Sequence, residues 1–254
     1  MMRPALLVEL LLLTLLAALG ASALAWQVGQ WGWNWDAINH HIYLGLAAEQ
    51  ARWSLDVLAA GTQVYQYPYL YWPVYKIAQM SGSGLAAAIA WSAAQAALLL
   101  PPVWLMAHRL IDSGAMAPWE AALLRLAACL LAFLNGILLH GLGMTSNDLL
   151  AALPLVWAVA LHAGRSSSER TAMLCAALWG VSTAFKWSNG LMLPVLLFWW
   201  WQAERPHLPW RRGLALAAGA VLGFGLAYLP WGLQLWEVRG NPFYPYFRGI
   251  FPGH

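Results

Sequence analysis

The sequence predicts an all-α fold: a polytopic helical membrane protein of about seven transmembrane helices, with a long first extracytoplasmic loop that carries an interfacial helix. Three observations predict it. The 254 residues are 61% hydrophobic and only 9% charged, with a mean hydropathy of +0.58, whereas soluble chains carry roughly 25% charged residues. Apolar runs long enough to cross a bilayer, which takes about 20 residues, recur along the chain. Arg3, Arg109, Arg165, Arg170, Arg205, Arg211 and Arg212 fall at one terminus or in short connections between those runs, the pattern that keeps positive loops cytoplasmic.

The first run, residues 5–25, follows a basic start and ends in "ASALAW", which contains the A-x-A of a signal-peptide cleavage site. Glu9 interrupts the run and more spans follow, so it reads as an uncleaved helix with Arg3 in the cytoplasm. Further runs cover residues 84–107, 119–143, 148–163, 171–185, 189–203 and 213–236. The runs 171–185 and 189–203 are short. Each reaches only about 22 Å at 1.5 Å per residue, against a hydrocarbon core of roughly 30 Å. Because "RSSSER" before them and "ERPHLPWRR" after them are both basic, the chain must cross and return. Lys186, at the apex "KWSN", is then expected below the outer surface, where an ammonium is tolerable only beside protein or a wet cavity. The chain reads as a single membrane domain, 1–254, whose extracytoplasmic stretches are 26–83, the turn "GMTSND" and 237–254.

Composition also excludes classes. A net charge of +3 spread over scattered basic residues leaves no basic stripe for nucleic acid. Cys129 and Cys175 lie inside apolar runs and read as small buried hydrophobes.

The chemistry concentrates in "WNWDAINHHIY", residues 33–43. If Asp36 caps a helix running from Ala37 to about Arg52, then Asn39, His40 and Tyr43 stack over it. Ile38, Ile42, Leu44 and Leu46 form the opposite flank, giving a helix that lies flat on the membrane with its polar stripe exposed. Asp36 is open to three readings: a general base, a plain helix cap, or one ligand of a divalent metal shared with His40 and His41. Adjacent histidines point about 100° apart on a helix, so a metal would take one of the pair more readily than both.

"TQVYQYPYLYWPVYK" places Tyr65, Tyr67, Tyr69 and Tyr71 at period two among prolines, an extended segment whose tyrosines read chiefly as an aromatic belt at the headgroups. In "EVRGNPFYPYFRGIF", Arg239 and Arg248 either join Lys186 in an anion site, to which guanidinium forks are well suited, or meet lipid headgroups. Two further classes compete with an enzyme. In a transporter or flippase, Lys186 and Asp148 would form a charged path through the bundle. The other alternative is a non-catalytic membrane assembly subunit.

Taken in order, "DAINHHIY", "QVYQYP", "GMTSNDL", "FKWSNG" and "GNPFYPYFRGIF" resemble the GT-C superfamily of membrane glycosyltransferases, specifically a bacterial group that uses polyprenyl-phosphate sugars. The resemblance spans nearly the whole chain and rests on the joint order of motifs. It implies a multi-pass protein of the bacterial inner membrane that moves a sugar from a polyprenyl-phosphate donor to an extracytoplasmic acceptor. It implies Asp36 as general base, and Lys186 with Arg239 as the groups that neutralise the departing lipid phosphate. Asn39, His41, Tyr43, Gln63 and Tyr65 fall on its motifs as sugar or acceptor ligands, joined by His40 from the helical stripe and by Asn147, Asp148, Asn189 and Asn241 in the later motifs. The chain departs from the pattern at His40, where an aromatic is usual, and at Tyr67, where Asn is usual. It is also shorter than typical members, which implies an N-terminal core or a truncated chain. No cofactor is implied beyond the divalent metal already considered.

Overall fold

A computed structural model describes residues 3–29, 35–53, 55–56, 61–111, 116–163, 168–204 and 210–251. Among them the secondary structure is helical, without a strand. The basic loop residues Arg165 and Arg205, and the Trp33 and Asn34 that open the first-loop motif, lie outside the described residues.

Among the described residues, three helices are long and apolar enough to cross a membrane: α1 (Pro4–Val28), α4 (Gly84–Leu110) and α10 (Trp210–Arg239). Local signals bound them. Pro4 occupies the first turn of α1, where its missing N–H is no loss, and Gly29 closes the helix in the left-handed region at φ 78°, its N–H bonding Ala25 O at 3.0 Å. Ser83 caps α4 by accepting the Ala86 N–H at 3.1 Å.

Between and beyond these lie α2 (Ile42–Ala47), α3 (Trp72–Met80), α5 (Pro118–Phe133), α6 (Gly136–Gly141), α7 (Asp148–His162), α8 (Glu169–Phe185) and α9 (Leu193–Glu204). The run expected at 119–143 is broken. Asn135 adopts extended backbone and its side chain accepts the Ile137 N–H at 2.8 Å, so a new helix starts there. The pair expected at 171–185 and 189–203 forms α8 and α9, joined through extended Lys186 and a 3₁₀ segment, Trp187–Met192.

Two of the interfaces among the described helices show how the bundle packs. α8 packs on α10 through glycines: a Cβ on Gly219 would sit 2.2 Å from Met173 O, one on Gly223 2.0 Å from Ala177 O, and one on Gly180 2.3 Å from Ala220 O. Small residues let the backbones touch, as in membrane helix pairs generally. The second interface joins α1, α4 and α5. Glu9 accepts from Arg125 Nε and Nη2, both at 2.6 Å, and from Trp104 Nε1 at 2.8 Å.

The first loop departs from its expected form. The helix around Ala37 starts as a π-helical turn, Ala37–His41, and ends at Ala47, short of Arg52. The π turn widens the helix and shifts its register. His40, expected on an exposed stripe, is instead only 2% exposed, and His41 beside it is 4% exposed, while Ile38, expected on the buried flank, is 67% exposed. The segment expected to be extended folds as a 3₁₀ turn, Gly61–Tyr65, followed by α3. Its tyrosines bond to the protein. Tyr67 donates to Ala227 O at 3.2 Å, Tyr69 accepts from Gln234 Nε2 at 3.0 Å, and Tyr71, buried, donates to Gln66 Oε1 at 2.9 Å. The first loop is thereby fastened onto α10.

Candidate functional site

Asp36 has right-handed helical backbone (φ −66°, ψ −38°) and makes no side-chain bond to the helix start, so it is not the expected cap. Its carboxylate is 48% exposed and lies 3.8 Å from His40 Nδ1, close enough to attract a charge and longer than a hydrogen bond. His41 turns the other way, with Nδ1 2.8 Å from Thr145 Oγ1 and its ring stacked 4.9 Å from Tyr71.

The loop before α7 supplies the opposite wall. Trp91 Nε1 on α4 donates to Met144 O at 2.8 Å, and Gly143 N–H donates to Gln95 Oε1 at 2.8 Å. These bonds set Thr145, Asn147 and Asp148 against the histidines. Lys186, at the end of α8, forms an ion pair with Asp148 in which Nζ donates to Oδ1.

These groups surround a cavity of about 360 Å³ whose wall includes Asp36, His40, His41, Gln63, Asn147, Asp148 and Lys186. A neighbouring aromatic cavity of about 270 Å³ shares Gln63, Asn147 and Lys186 and is walled by Tyr65, Tyr67, Trp187, Tyr228, Tyr244 and Tyr246. Asp36 and Lys186, remote in sequence, thus face one hollow with an aromatic extension.

Five residues singled out in the sequence are engaged outside these walls. Arg239 bonds the Tyr65 hydroxyl through Nε at 3.0 Å and lies over the Tyr65 and Tyr244 rings at 5.2 and 5.7 Å, behind the aromatic wall. Tyr43 donates to Asp56 Oδ2 at 3.3 Å, beside the Arg52–Asp56 ion pair. Asn39 donates to Trp35 O at 2.7 Å. Asn189 ties α8 to α7 through Ser182 Oγ at 2.9 Å and Ala151 O at 3.1 Å. Asn241, fully buried, organises the turn after α10 by donating to Tyr246 O at 2.7 Å and accepting the Phe243 N–H at 2.9 Å.

Sequence reasoning passed over Thr145, Gln66 and His140, which bond to or line the first cavity, and gave Tyr71 no place beside the histidines. Thr145 and Gln66 lie inside quoted motifs but carry no charge to draw notice. His140 was hidden inside an expected span, although the dipeptide Asn135-Gly136 is a recognisable break.

Burial, reinforced by His40, pushes the His41 imidazole down to about 4. Burial also lowers His40, against the opposing pull of Asp36. Both rings are therefore neutral near pH 7, when each has one N–H donor and one acceptor nitrogen. Burial and the carboxylates of Asp148 and Asp36 raise Tyr71, which stays a phenol. Among the described residues no three His, Cys, Asp or Glu side chains converge as a metal ion requires. Of the considered set, His41 turns its Nδ1 to Thr145 while His40 faces Asp36.

The fold and cavity define the class: a helical protein with, among the described residues, three helices long and apolar enough to cross a membrane, and a two-carboxylate hollow at the N-terminus of α7 and the C-terminus of α8. No family model, curated protein or solved structure matches the chain.

Proposed function

We propose that this protein is a membrane glycosyltransferase of GT-C type, with about seven membrane passes, a cytoplasmic N-terminus and its site at the outer face of a bacterial inner membrane. The observation that carries the reading is the shared cavity of Asp36 and Lys186. In this reading an acceptor hydroxyl enters beside Asp36. Its oxygen attacks the anomeric carbon of a polyprenyl-phosphate sugar as the carboxylate takes its proton. The bond from the anomeric carbon to the phosphate oxygen breaks, and polyprenyl phosphate leaves. Lys186 offers a preorganised cation to that phosphate, exchanging Asp148 for it as partner. Trp187 and Tyr244, partly exposed in the aromatic cavity, supply faces on which a sugar ring can stack. Arg239 acts through the aromatic wall by holding Tyr65.

Turnover of a lipid-linked sugar by the purified full-length chain is the test. Asp36→Asn should lower release of polyprenyl phosphate by about 10²- to 10⁴-fold, the usual weight of a general base, with an unchanged unfolding transition. Normal turnover by that variant would reject the mechanism. Counterflow of intact labelled substrate in proteoliposomes, with no bond broken, would establish the transporter reading instead.

A further inference from the structure

Thr145 is 1% exposed, and among the described residues its hydroxyl has one partner, His41 Nδ1 at 2.8 Å. A hydroxyl has one proton to give and a buried donor left unsatisfied is costly. Were the His41 Nδ1 protonated, the Thr145 proton would have no acceptor. With Nδ1 bare, the hydroxyl donates to it and both groups are satisfied. The neutral ring must then carry its proton on Nε2.

We propose that Thr145 is a positioning residue that locks His41 in the Nε2–H tautomer, so that His41 presents a neutral N–H donor to an oxygen of a molecule in the cavity. The loop that carries Thr145 is pinned to α4 through Trp91 and Gln95, and Tyr71 stacks on the face of the imidazole, so neither partner of the bond is free to swing. A ring in this state has no bare nitrogen turned to substrate. It binds a sugar hydroxyl or phosphate oxygen as a donor and does not itself remove a proton, in keeping with Asp36 as the base. The identity of that oxygen rests on the transferase reading; the tautomer does not.

Two-bond ¹⁵N–¹H spectra of the full-length chain in detergent at pH 7, with the His41 signals assigned by their loss in His41→Gln, test the tautomer without any assay of turnover. The expected result is a protonated Nε2 and an unprotonated Nδ1. In Thr145→Val the two tautomers should mix, and in Thr145→Ser the single tautomer should return, which separates a lost hydroxyl from a lost fold. A protonated Nδ1, an imidazolium, or a His41 spectrum indifferent to Thr145→Val would overturn the proposal. Where turnover is measurable, Thr145→Val should lower kcat/KM about five- to tenfold, as for one hydrogen bond, with Thr145→Ser close to the parent. An inactive parent that still shows the Nε2–H tautomer would count against the transferase reading alone.

Discussion

The two carboxylates in the polar cavity differ in what they touch. Asp148 holds Lys186 in an ion pair, whereas among the described residues Asp36 has the neutral His40 imidazole 3.8 Å away; under the transferase proposal Asp36 is the carboxylate left to an entering hydroxyl. The neighbouring histidines give a pH signature. His41 falls from its ordinary value of 6.5 to about 4 in the folded chain, so between those values the unfolded chain binds the extra proton. Its contribution to stability is complete above pH 6.5 and is lost as pH falls through the window toward 4, by up to about 3 kcal/mol. Chemical unfolding in detergent at pH 7.5 and pH 4.5 should show the loss, and His41→Gln should flatten it. An equal pH slope in the variant would mean that His41 is not the group responsible.

At the scale of elements, the α8–α10 contact depends on the absence of side chains. A Cβ on Gly223 would fall 2.0 Å from a backbone carbonyl oxygen, which cannot swing aside, while one on Gly225, two residues along α10, would meet nothing within 4 Å. Gly223→Ala should therefore separate the helices and destabilise the protein by about 1–3 kcal/mol, as overpacking does. Gly225→Ala should be neutral or slightly stabilising, since alanine is the better helix former by about 1 kcal/mol. Thermal unfolding of the two variants side by side checks the contrast. Because α8 ends at Lys186 and α10 carries Tyr228, loosening this seam should also reduce turnover in Gly223→Ala, with no change at the reacting groups themselves.

At the scale of the whole molecule, one ion pair ties the N-terminal helix to the rest of the bundle. Glu9 and Arg125 are joined by two bonds of 2.6 Å, and Arg125 is 4% exposed. Glu9→Gln leaves a buried guanidinium without its counter-charge and should destabilise by about 3–5 kcal/mol, whereas Glu9→Gln combined with Arg125→Met should recover most of the loss. Unfolding midpoints of the single and double variants provide the check; equal losses in both would deny the pairing a role. The membrane arrangement has its own test. Gln79 and Met116 flank α4, so single cysteines placed at each, in a background lacking Cys129 and Cys175, should react with an impermeant thiol reagent from opposite sides of the membrane, the one at Gln79 from outside.

The sequence by itself determined that the chain is helical and greasy, roughly where its long helices run, and which short segments carry polar chemistry. These follow from local composition: about 20 apolar residues in a row are legible without neighbours, and so is the crowding of Asp36, His40 and His41 between such runs. Only the tertiary structure decided which polar groups meet. Asp36, Asp148 and Lys186 share a cavity because the start of α7 and the end of α8 come together under the first loop, a fact of packing that no window of sequence contains. The same packing turned His40 and His41 inward, tied Asn189 to α7 and put Arg239 behind Tyr65, while Tyr43 and Asn241 found partners nearer in the chain. Residue type states what a side chain can do, but the partner that takes up its hydrogen bond is chosen by distant parts of the chain.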